Sequence, residues 1–130
     1  MKLSEILESK RLSLSFEVFP PKSDSGFESV REAVEQIAEI SPSFMSVTYG
    51  AGGGTGRYTL EIAKSIKERH GVPTLAHLTC VASTKDGVRG KIRAMKEAGI
   101  ENVMLCGEIF PRGWISVPWR AGATATRWIW

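Results

Sequence analysis

Apolar and polar positions alternate from Leu12 to Phe19: Leu12, Leu14, Phe16 and Val18 fall on one side, with Ser13, Ser15 and Glu17 between them. A period of two predicts a strand with one buried face, and it puts Glu17 on the polar face near the strand's C-terminal end. Pro20-Pro21 stops the strand, because proline has no N–H to donate to a ladder. From Ser25 the period lengthens to that of a helix, with Phe27, Val30, Val34 and Ile37 as the apolar stripe, ending before Pro42. Phe44 to Tyr49 reads as a second strand. The run from Thr59 to Arg69 reads as a helix carrying Leu60, Ile62, Ala63 and Ile66, stopped by Gly71 and Pro73. A third strand covers Thr74 to Cys80. The next helix opens near Thr84, shows Val88, Ile92 and Met95 in register and ends on Gly99, before a fourth strand from Asn102 to Cys106. Residues 1 to 11 form a short amphipathic lead-in with Leu3, Ile6 and Leu7 at helical spacing.

The strand ends Glu17, Thr48, His77 and Cys106 recur roughly every 30 residues, the length of a βα unit. Such units build parallel sheets, because the crossover helix returns the chain to the same end of the sheet with a right-handed turn. Four of them suit either an open doubly wound sheet or half of an eight-stranded barrel, a fold that takes about 250 residues. Between the second strand and its helix, five glycines fall between Gly50 and Gly56. Glycine suits a backbone that turns sharply or approaches a bound group, and loops at strand ends are where α/β folds bind ligands. Arg57-Tyr58 follows instead of Lys and Ser or Thr, so the loop is no Walker A, and its glycines do not fit G-x-G-x-x-G. A solvated linker is the competing reading of such a loop taken alone.

Composition narrows the classes. With 130 residues, 42% hydrophobic and 24% charged, the chain can bury the core of one globular domain. It has no uncharged apolar run of about 18 residues, so the expectation is a soluble, cytoplasmic protein without a membrane partner. Cys80 and Cys106 lack C-x-x-C spacing and read as reduced thiols, and two histidines without H-E-x-x-H give no expectation of a metal. The net charge of +3 comes wholly from Arg112, Arg120 and Arg127, since bases and acids balance up to residue 108. All four tryptophans also lie beyond Phe110. Arginine and tryptophan together can stack on nucleic acid, but no recognised motif accompanies them, so no nucleic-acid partner is expected. From 110 to 130 the apolar periodicity breaks down. The tail reads either as an irregular extension packing its indoles on the sheet or as translation in a shifted frame.

Ser15-Phe-Glu-Val-Phe-Pro-Pro-Lys22, Ser46-Val-Thr-Tyr-Gly-Ala51 and Ala76-His-Leu-Thr-Cys80, in that order and spacing, resemble the amino-terminal half of methylenetetrahydrofolate reductase. The resemblance runs from about residue 3 to residue 109, which divides the chain into 1–109 and a non-matching tail, 110–130. It implies a partial (β/α)8 TIM barrel of about four βα units. It also implies a flavoprotein oxidoreductase of one-carbon metabolism and methionine biosynthesis that reduces a folate with FAD and NADH or NADPH. By the same resemblance Glu17 is the catalytic general acid, Thr48 meets the nicotinamide donor, and Tyr49, Ala51 and His77 contact FAD. Gly107 and Glu108 are further cofactor-binding positions. Where the family has Leu-Arg-Gly-Asp, this chain has Leu105-Cys-Gly-Glu108, which replaces a fixed cation by a thiol and lengthens the carboxylate arm by one methylene. On the inner face of a barrel, shielded from water, a carboxyl has its neutral form favoured, as a general acid needs. Two alternatives stay open. One is a truncated, non-catalytic half-barrel whose open edges on the first and fourth strands promote homo-oligomers. The other is a small α/β module binding a phosphorylated ligand through the glycine loop.

Overall fold

Residues 1–9, 11–50, 56–80, 83–106 and 128–129 are described by a computed structural model, with Cys106, Trp128 and Ile129 as backbone alone. After a short helix α1 (Leu3–Glu8), three βα steps and a fourth strand follow: β1 (Ser15–Val18), a 3-10 turn (Asp24–Gly26) running into α2 (Phe27–Glu39), β2 (Phe44–Val47), α3 (Gly56–His70), β3 (Thr74–Thr79), α4 (Lys85–Glu97) and β4 (Asn102–Cys106). The strands lie side by side in chain order and pair in parallel, Ser15 with Phe44, Met45 with Thr74 and Leu75 with Asn102. Sequential order with every crossover the same is the arrangement of one arc of a barrel, where a doubly wound sheet would reverse its strand order.

Local chemistry sets the element ends. Thr84 caps α4 by accepting the Gly87 N–H on Oγ1 at 3.1 Å. At the other end Gly99 takes φ +70°, and the bonds Gly99 N–H to Lys96 and Ile100 N–H to Met95, both 2.9 Å, close a Schellman motif. Gly71, at φ +65°, turns the chain out of α3 in the same left-handed conformation. β1 is shorter than the alternation predicts. Leu12 and Leu14 are exposed, and pairing with β2 begins at Ser15, which leaves the earlier apolar positions no partner surface.

One face of the sheet holds the core. Val18, Met45, Val47, Ala76 and Leu78 point to it and pack with Val34 and Ala38 of α2, Ile62, Ala63 and Ile66 of α3, and Val88 and Met95 of α4. Each Val, Leu, Ile or Met among them contributes about 1.5–3 kcal/mol when fully buried, and the alanines less, which is why the helices settle there. At the base of the sheet α1 is tied down by Leu3, fully buried, whose N–H donates to Asn102 Oδ1 at 2.9 Å.

Among the described residues beyond 106, one element departs from the expected picture. Trp128–Ile129 form a fifth strand, β5, antiparallel to β4 and pairing Ile129 with Val103 and Trp128 with Met104. The edge of β4, expected open, is therefore covered over two residues, while among the described strands β1 is an edge. Among the described residues no helix is long and apolar enough to cross a membrane.

Candidate functional site

Paired residues in a parallel ladder share a face, and successive residues alternate. Glu17 pairs with Ser46 and Ser46 with Leu75, so this row lies on the side away from the helices. His77, two residues beyond Leu75, and Thr79 lie on that same side, opposite Met104 and Cys106 of β4. Thr48 joins them: it follows the core residue Val47, and its N–H donates to the Val18 carbonyl at 2.9 Å. Glu17, Thr48 and His77, expected as site residues, are thus brought by three successive strands to one polar face at their C-terminal ends.

The members of this group differ in environment. His77 is only 8% exposed, and that burial pushes its pKa below the ordinary imidazole value, against the opposing pull of the nearby Glu17 carboxylate. The neutral ring therefore prevails near pH 7, offering one nitrogen as donor and the other as acceptor. Glu17 itself is exposed, so the shielding from water expected of a barrel-interior carboxyl is not provided by this sheet. Strands across a closed barrel supply such shielding, and the described residues form one side only.

Tyr49 goes elsewhere. It packs against the core on the helix side, with the Lys91 ammonium 5.1 Å from its ring centroid and its hydroxyl against Gly56. A Cβ on Gly56 would come within 2.7 Å of Tyr49 Cζ, so the first residue of α3 has to be glycine for this ring position. Its ring is not gathered with Glu17, Thr48 and His77. Ala51, Gly107 and Glu108 lie outside the described residues.

Side-chain bridges that sequence reading missed connect the loops around this face. Asp24 Oδ1 accepts from the Arg57 guanidinium and the Tyr58 hydroxyl, each at 2.6 Å. The Tyr58 bond and then the Arg57 charge hold the Asp24 carboxyl below the usual carboxylate range. Thr59 Oγ1 donates to the Thr48 carbonyl at 2.8 Å, and Lys91 donates to Ser83 Oγ at 3.0 Å while lying over Tyr49. Arg57-Tyr58 directly after the glycines was the only sequence signal available. Nothing local links it to Asp24, more than thirty positions away.

Comparison with known proteins bears on this arrangement. A family model described as methylenetetrahydrofolate reductase matches residues 2–118. The chain belongs to the methylenetetrahydrofolate reductase family. Among its relatives, methylenetetrahydrofolate reductase (NADH) 1 of Zea mays is 37% identical over 103 residues, which are 79% of this chain and 17% of that protein. The 5,10-methylenetetrahydrofolate reductase of Escherichia coli strain K12 is 34% identical over 102 residues, 78% of this chain and 34% of that protein. That of Pectobacterium carotovorum is 35% identical over 94 residues, 72% and 32% respectively. The chain therefore spans between about a sixth and a third of the length of these methylenetetrahydrofolate reductases. The family fold is a TIM barrel, and the four parallel strands with helices on one side are part of one. The family match also continues past residue 109, where the sequence resemblance stops.

Proposed function

We propose that this chain carries the first strand ends of a flavin-dependent active site that reduces 5,10-methylenetetrahydrofolate to 5-methyltetrahydrofolate, with NADH or NADPH as donor. The observation that supports it most is the gathering of Glu17, Thr48 and His77 on the one face the helices leave uncovered, at the C-terminal ends of parallel strands. That end of such a sheet is where barrel enzymes place their chemistry.

The residues suit FAD in their donor set. A flavin ring edge alternates hydrogen-bond acceptors with a donor, and a buried neutral His77 can answer either. Thr48 adds a hydroxyl on the same face, for the nicotinamide or the flavin. When bound, FAD supplies the two-electron transfer between nicotinamide and the methylene carbon. Glu17 holds a proton on a carboxyl oxygen and delivers it toward the folate nitrogen whose bond to the bridging methylene breaks, opening the bridge to an iminium.

A Glu17→Gln variant tests this assignment. Reduction of bound flavin by NADH should persist, whereas flavin oxidation by methylenetetrahydrofolate should slow by about 10²–10⁴-fold, the usual contribution of a positioned general acid. An unchanged folate half-reaction would remove Glu17 from the role. The exposure of Glu17 favours a second reading, in which this stretch binds flavin but does not turn over by itself. Flavin reduction with no folate half-reaction in the unmutated chain would select that reading.

A further inference from the structure

A closed circuit of hydrogen bonds joins the first two strand ends. From Val18 at the end of β1 the chain runs to Asp24, whose Oδ1 accepts the Tyr58 hydroxyl. The next residue of α3, Thr59, is fully buried and donates its hydroxyl to the Thr48 carbonyl. Thr48 in turn donates its N–H to the Val18 carbonyl, which returns the circuit to its origin one residue from Glu17.

We propose that Asp24 is a positioning residue: by anchoring the first turn of α3, it holds the Thr48 strand end in register with the strand end that carries Glu17. What is positioned rests on the function proposed above; the circuit does not.

Three observations carry the assignment. Tyr58 is 8% exposed and packs its ring 5.4 Å from Phe27, so its hydroxyl is directed to the rim, and a phenol at the edge of a core needs a partner. Asp24 supplies that partner from a side chain that is itself 83% exposed, so it adds no apolar burial that would make it a core residue. Arg57 binds the same carboxylate oxygen while lying 4.9 Å from the Tyr58 ring centroid, so two consecutive residues of α3 converge on one atom. The glycine loop begins and ends inside this circuit, between Thr48 and the Gly56-Arg57-Tyr58 turn. Whatever that loop does, its two ends are set by the same anchor.

Amide hydrogen exchange on the full chain, read residue by residue, tests the proposal without any flavin. Asp24→Ala should raise exchange of the Thr48 N–H about threefold or more, while the amides of β3 stay unchanged. Asp24→Asn keeps a carbonyl acceptor for Tyr58 and should recover part of the protection. Tyr58→Phe should reproduce Asp24→Ala, and the double variant should add little, because the two act as one unit. Unchanged Thr48 exchange would overturn the proposal, as would a rise shared equally by β3, the mark of a merely global loss of stability. Flavin that fails to bind the unmutated chain would count against the functional reading and leave the exchange result standing. Where flavin binds, an affinity indifferent to Asp24→Ala despite faster Thr48 exchange would overturn the link to the site.

Discussion

His77 is a titratable side chain held 8% exposed, in an environment that disfavours its charged form. In the fold its pKa is lowered by burial, only partly offset by the charge of Glu17. An unfolded chain takes the proton near the ordinary value, about 6.5, while the folded chain resists it until lower pH. The unfolded state then binds more protons, so stability is fully present above that value. It falls as pH drops through the window down to the depressed folded pKa, then levels. Denaturant midpoints at ~pH 7.5 and ~pH 5 should show this loss, and His77→Gln should reduce it. An identical pH slope in the variant would mean that another group carries the effect. Glu17→Gln should deepen the depression, because it removes the charge that favours imidazolium; a histidine titration followed by NMR reads this directly.

At the scale of elements, the helices owe their positions to one buried stripe each, and α3 is the most deeply seated. Ile66 is fully buried between α3 and the sheet. Ile66→Ala should cost about 2–5 kcal/mol by lost burial and the cavity left behind, measured as a lower denaturant midpoint. Leu12→Ala, at a fully exposed position, should change it little. A small effect at Ile66 would contradict the assigned core. These helices were legible in the sequence because the signals are local: the stripe of α2, the Gly71 and Pro73 stop, the Thr84 cap and Gly99. All four parallel strands were legible too, to within a few residues at their ends. What escaped was set by distant partners. β5 exists through pairing with β4, not through any alternation of its own. The Asp24–Tyr58 bond depends on where two loops meet, and Glu17's exposure depends on what lies across the sheet. Tyr49, which taken alone reads more readily as packing than as a ligand contact, follows Thr48 by strand alternation to the opposite side, where its ring meets the core and Lys91.

At the scale of the described molecule the two sides of the sheet differ: the helix side holds the buried core, and the other side brings Glu17, Thr48 and His77 together. The sheet ends differently at its two edges. β5 covers part of β4, whereas β1 has no second partner strand among the described residues and is flanked by the exposed side chains of Leu12, Leu14 and Phe19. Unpaired strand edges beside apolar groups promote association. Sedimentation should therefore show concentration-dependent self-association, weakened by Leu14→Lys; a monomer at all concentrations would show that the β1 edge is not adhesive. The family membership and the convergence of Glu17, Thr48 and His77 meet in one claim, that the polar face receives a flavin. Titrating FAD with the full chain, by quenching of flavin fluorescence, tests it most directly. Saturable binding at about micromolar Kd or tighter, about −8 kcal/mol, weakened by His77→Ala in a variant that remains folded, is the predicted result. No saturable binding by the folded chain, or binding indifferent to His77, would contradict it.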